Sequence, residues 1–179
     1  MRTRADLYAL AAAALAAAGC LKADLKASQV CATVSAAIPG APNGPISATF
    51  TVTYDLADAF ANLDHAGVSG TVLVQQIEIA TPASGIDLST IESVEATVLP
   101  SGSGSTLPPV PLTCNFKQAA GGATSLVVPC TDGNIFDYVK GQQLTLQLTV
   151  SASHLPAAPW QADVGTCFSV EVNVNYTQL

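Results

Sequence analysis

The stretch Ile46-Ser47-Ala48-Thr49-Phe50-Thr51-Val52-Thr53-Tyr54-Asp55 alternates without a break. Ile46, Ala48, Phe50, Val52 and Tyr54 fall on one side of an extended chain, and Ser47, Thr49, Thr51, Thr53 and Asp55 on the other. Successive side chains of a strand point to opposite faces. A period of two therefore marks a strand with one face in a core and one in water, the habit of antiparallel sheets. Pro39-Gly40-Ala41-Pro42-Asn43-Gly44-Pro45 before it is turn chemistry, and residues 56–70 after it read as a loop.

Outward from this strand the same signal recurs. Val30, Ala32 and Val34 alternate with Gln29, Cys31 and Thr33. Residues 71–80 form another strand, in which the apolar parity changes at Gln75-Gln76 and implies a bulge. Val94, Ala96 and Val98 mark the next, and residues 112–117 and 125–130 flank a glycine-containing turn. Leu144 to Val150 and Phe168 to Tyr176 supply the last two. One helical turn is expected at Ser89-Thr90-Ile91-Glu92, from its capping-box pattern, and a second at residues 135–140, stopped by Gly141. About eight short strands joined by turn-rich connections predict an all-β chain: a single antiparallel β-sandwich, Ig-like or Greek-key, over residues 28–179. No repeat or second domain is visible.

The first nineteen residues read differently, as a signal peptide. Arg2 and Arg4 precede an apolar run from Leu7 to Ala18. As a helix that run rises only about 18 Å, against a hydrocarbon core of about 30 Å, so it suits a signal rather than a span. It ends in Ala17-Ala18-Gly19-Cys20, which resembles the lipobox of bacterial lipoproteins. Ala17 stands where that family prefers Leu. The resemblance implies that Cys20 is acylated, becomes the N-terminus and inserts in a lipid bilayer, with residues 20–27 as lipidated end and tether. Leu21 follows the cysteine, where Asp would mark inner-membrane retention, so the resemblance also implies outer-membrane delivery in the cell envelope. An ordinary signal cut after Ala18, releasing a soluble protein, is the alternative.

The chain has five cysteines, Cys20, Cys31, Cys114, Cys130 and Cys167. Lipidation of Cys20 leaves an even set for disulfides in an oxidising compartment. A hairpin with Cys114 opposite Cys130 centres its turn on Gly121-Gly122-Ala123 and puts Phe116 opposite Val128, with both cysteines on the apolar face. Cys31 and Cys167 each lie on the polar face of their strand. Matching faces select the pairs Cys114–Cys130 and Cys31–Cys167.

From residue 20 onward, four lysines and no arginine stand against twelve carboxylates, a net charge of −8. Such a chain lacks the bidentate guanidinium fork and is a poor ligand for nucleic acid or for anionic lipid, so membrane attachment must come from acyl chains. Chemistry-bearing patterns are sparse. Asp55, Asp58, Asp64 and His65 share a loop but lack the spacing of a calcium site, and no metal or other cofactor is expected. Ser101-Gly102-Ser103-Gly104-Ser105 has its glycines at the wrong spacing for a nucleophile elbow. His154 sits at a strand end, Asp132-Gly133-Asn134 is a turn, and Asn175-Tyr176-Thr177 matches a glycosylation sequon. Trp160, in Pro156-Ala157-Ala158-Pro159-Trp160-Gln161, is a weak candidate for stacking on a ligand.

The segments Gly85-Ile86-Asp87-Leu88-Ser89-Thr90-Ile91-Glu92-Ser93 and Tyr138-Val139-Lys140-Gly141, each before a strand, make the body resemble the largely uncharacterised β-sandwich lipoproteins of bacterial envelopes. That resemblance implies no activity. The expected role is a non-catalytic structural or interaction module with an envelope protein partner. The alternative is a small-molecule or glycan-binding lipoprotein using the Trp160 loop, and an envelope hydrolase is a third, weaker reading.

Overall fold

The computed structural model describes residues 22–40, 46–60, 63, 66–81, 86–101, 105–131 and 133–175. Within them the chain forms β1 (Lys22–Ile38), β2 (Ile46–Asp55), β3 (Val68–Ala80), β4 (Ile91–Leu99), β5 (Val110–Leu112), β6 (Ser125–Pro129), β7 (Gln143–Ala152) and β8 (Trp160–Asn175). A 3-10 turn (Leu88–Thr90) precedes β4, and a four-residue helix α1 (Phe136–Val139) precedes β7. The 3-10 turn is capped by Asp87, one residue before the turn, whose carboxylate accepts the Ser89 N–H at 2.9 Å.

The strands form two four-stranded sheets, β1-β8-β3-β6 and β2-β7-β4-β5, with every neighbouring pair antiparallel. Only the β4–β5 connection stays within one sheet. This order is that of the jelly roll, two interlocked Greek keys. It is the Greek-key form of the expected antiparallel sandwich and not the immunoglobulin form, in which the first two strands share a sheet. Here β1 leaves β2 for the other sheet and pairs with the last strand along almost its whole length.

The sheets face each other across one core. Even-numbered residues of β2 and β7, from Ala48 to Tyr54 and Leu144 to Ala152, are buried, as are Val94, Ala96 and Val98 of β4. From the first sheet come Ile38, Val72, Val74, Ile77, Ile79, Val164 and Phe168. The β2–β3 connection closes one end: Phe60 packs edge-on against Phe168 with ring centroids 6.1 Å apart. Between the sheets, the buried Tyr54 hydroxyl donates to the Val164 carbonyl at 3.3 Å and accepts from Thr166 Oγ1 at 2.8 Å.

Both disulfides form as the strand faces required. Cys31 sits directly opposite Cys167 in the β1–β8 ladder, and Cys114 opposite Cys130 in an isolated bridge. The Cys114–Cys130 hairpin, however, does not continue into a ladder. Leu112 pairs with Ala96 in one sheet and Val128 with Ile77 in the other, so Phe116 does not face Val128. The bridge instead ties the edge strands of the two sheets, supported by Asn115 N–H to the Pro129 carbonyl at 2.7 Å and Thr131 N–H to the Thr113 carbonyl at 3.0 Å. The intervening turn does fall on Gly121-Gly122, with Gly122 at φ 76°.

Two bulges flank β8 at the same level. On β3 the extra residue is Gln75, where the parity change placed it; on β1 the register jumps from Ala27–Val170 to Val30–Phe168. Residues 22–27, expected as tether, are therefore strand from Lys22 onward, paired with Val170 to Asn175.

Candidate functional site

The outer face of β1-β8-β3 beyond the bulges is indented. Two adjoining depressions lie along it, with volumes of about 520 and 450 Å³. Asp24, Ser69 and Asn173 line the first, at the end of the sheet; Lys26, Thr71, Ser169 and Glu171 line the second, against the bulge. The residues converge because the register places Asp24 opposite Asn173, Lys26 opposite Glu171 and Thr71 opposite Glu171 from the other side.

Some of the polar groups are partnered across strands. Lys26 Nζ lies 2.9 Å from Glu171 Oε1, both side chains being largely exposed, and Gln75 Nε2 donates to Ser169 Oγ at 2.9 Å. An exposed pair of this kind contributes at most about 1 kcal/mol. The surface offers hydroxyl, amide and carboxylate groups to a polar ligand, without a nucleophile held against a base. Sequence reasoning passed over Asp24 and Lys26 because it took residues 22–27 for a tether. The alternation Lys22-Ala23-Asp24-Leu25-Lys26-Ala27 carries the period-two signal that would have found them.

The residues singled out by sequence are scattered. Trp160 opens β8 opposite Ile38 and is only 5 % exposed, so its ring presents no face to a ligand. Its indole Nε1 has no hydrogen-bond partner. His154 is exposed, and its carbonyl accepts from Thr90 Oγ1 at 2.8 Å. Asp55 closes a local turn, accepting the Ala57 N–H at 3.0 Å. Asp58 is exposed, whereas Asp64, His65, Asp132, Gly102, Ser103, Gly104, Tyr176 and Thr177 lie outside the described residues, as does Cys20. Asn134 has a structural part instead: its Oδ1 accepts the N–H groups of Val72 at 3.0 Å and Phe136 at 3.1 Å, and its Nδ2 donates to the Gly70 carbonyl at 3.2 Å. It thereby ties the start of α1 to β3. Tyr138 on α1 donates to the Pro108 carbonyl and holds the β4–β5 connection.

Burial pushes the Tyr54 phenol up to about 12, partly offset by the Thr166 hydrogen bond. The Ser89 side chain and N–H hold the Asp87 carboxyl below its usual value. Among the described residues no three His, Cys, Asp or Glu side chains gather where they could hold a metal ion, and no helix is long and apolar enough to cross a membrane.

No family model matches the chain, and comparisons with curated proteins and with solved structures return no match.

Proposed function

We propose that this chain is an exported lipoprotein of the bacterial cell envelope, held at the outer membrane by acylated Cys20, whose jelly-roll sandwich acts as a non-catalytic structural or interaction module. The observation that carries the reading is the use of the cysteines. Four of the five close two disulfides within the sandwich, and the fifth, Cys20, stands in the lipobox-like sequence Ala17-Ala18-Gly19-Cys20. Two disulfides in a chain of this size suit an oxidising compartment. The densely filled core and the open, shallow character of the depressions favour contact with a broad partner over enclosure of a small one. The reading of Trp160 as a ligand platform loses its support, because the ring is buried.

The test is a Cys20→Ala chain expressed with its leader in a Gram-negative host. Wild type is expected to incorporate labelled palmitate and to fractionate with outer membranes, and the variant to lose both. A variant that still sediments with membranes, or a wild type whose mature mass lacks acyl groups, refutes the anchor.

A further inference from the structure

A sandwich has four edge strands, and three of them here carry features that discourage a further strand. β1 is broken by the bulge between Ala27 and Val30 and contains Lys22 and Lys26. β5 has three residues, with Pro111 inside it and Pro109 just before. β6 has five, ends at Pro129 and runs directly into the bridged Cys130. β2 is different. Its ten residues contain no Pro, Gly or Lys, and its register with β7 runs unbroken from Ile46–Ala152 to Asp55–Gln143. Among the described residues no strand pairs with its other side.

We infer that the open edge of β2 is an interaction surface for β2 of a second copy, joined antiparallel about a two-fold axis at Thr51. Residues directly opposite in an antiparallel pair share a face. With Thr51 opposite itself, Thr49 meets Thr53 of the second copy, and Ser47 meets its Asp55. On the core side Phe50 meets Val52, an aromatic–β-branched pair of the kind that stabilises sheets. The outer rows are built for such an extension. Thr49 already shares a hydrogen bond with Thr149 at 3.0 Å, and Thr53 with Thr145 at 3.1 Å, so the second copy's threonines lengthen existing hydroxyl rows. The charges agree as well: the only carboxylate on β2, Asp55, faces a serine hydroxyl, whereas an axis at Phe50 would leave it without a partner and set two rings against each other.

The net charge of −7 per chain opposes pairing, so association should strengthen with salt. The joined strands place the two β1 starts at opposite ends of the sheet. If both copies are lipid-anchored, their strands lie along the bilayer, but the pairing itself does not depend on Cys20.

The test is site-directed crosslinking of the full chain produced with its leader. Thr51→Cys places two thiols on the axis, Ser47→Cys faces Asp55 and not itself, and Thr97→Cys lies on β4, away from the edge. After mild oxidation, Thr51→Cys is expected to run mainly as a disulfide-linked dimer on a non-reducing gel, and the other two as monomers. Separately, Thr51→Lys opposes two ammonium groups on the axis and should weaken dimerisation about tenfold or more in sedimentation velocity while leaving the circular dichroism spectrum that of wild type. Crosslinking of Thr51→Cys no greater than that of Thr97→Cys, or a wild type that sediments as a monomer in high salt, overturns the inference. Equal crosslinking at Ser47 and Thr51 overturns the register.

Discussion

Removing each disulfide in turn separates the entropy of the unfolded chain from local packing. The Cys31–Cys167 bridge closes a sequence separation of 136 residues and the Cys114–Cys130 bridge one of 16, nested inside it. On the chain-entropy relation these loops correspond to about 5 and about 3 kcal/mol at 25 °C. The nested bridge shortens the larger loop too little to change its value. The larger loss is thus expected for the pair that looks less important locally, since Cys31 is exposed on the outer sheet face, whereas Cys130 is buried between the sheets. The variants are Cys31→Ala/Cys167→Ala and Cys114→Ala/Cys130→Ala, each with the other bridge intact. Urea unfolding can be followed by fluorescence of Trp160, the chain's one tryptophan and a buried reporter. With a slope of about 2 kcal/mol per molar urea, the midpoints of the two variants should differ by about 1 M, and the slope itself should rise most where the larger loop is opened. A midpoint lowered more by opening the Cys114–Cys130 loop would show that edge packing between the sheets, rather than chain entropy, sets the value of these bridges.

Two further perturbations follow from the core and the turns. Tyr54→Phe should cost about 1–3 kcal/mol, because it strands the buried Thr166 hydroxyl. Thr166→Val should cost less, about 1 kcal/mol, because the Tyr54 hydroxyl keeps its bond to the Val164 carbonyl. The double variant should cost less than the sum, since both polar groups then leave together. The Tyr54 phenol ionises near 10 in the unfolded chain but near 12 in the fold, so the stability it supports is complete below pH 10 and is lost as pH rises from about 10 to 12. That loss amounts to about 2–3 kcal/mol, and Tyr54→Phe should flatten this part of the alkaline stability curve measured by urea unfolding. In the turn, Gly122→Ala should cost about 1 kcal/mol because φ is 76°, while Gly121→Ala, whose added Cβ meets nothing within 4 Å, should stay within about 0.5 kcal/mol of wild type by thermal melting.

Where one face of a strand is buried and the other wet, the sequence carried the fold. β2 was legible residue for residue, because Ser, Thr and Asp alternate with apolar residues from end to end. The Gln75 bulge was legible from a parity change, and the disulfide pairs from shared faces. Three things were hidden. The first half of β8 was read as loop because Pro159 and Trp160 resemble a turn and Gly165 interrupts the pattern, yet Trp160, Ala162 and Val164 alternate inward. The choice of sheet for each strand was also hidden. Leu112 to Cys130 has the composition of a hairpin, and only the competing partners Ala96 and Ile77 send its two arms to different sheets. The depressions on the outer face escaped notice for a related reason: a bulge reverses the parity between Lys26 and Val30, so a strand of seventeen residues looks like a tether followed by a short strand.

The cross-strand position of Cys31–Cys167 also decides how the domain carries load. A pull on the chain ahead of Lys22 opens the β1–β8 ladder from its Lys22–Asn175 end, one pair at a time, like a zip. The covalent link stops that opening once Lys22 to Val30 has been lifted, roughly 30 Å of extended chain. Beyond that point the force passes through sulfur into the strand that lies between β1 and β3, and the rest of the sandwich bears it in shear instead of peeling away.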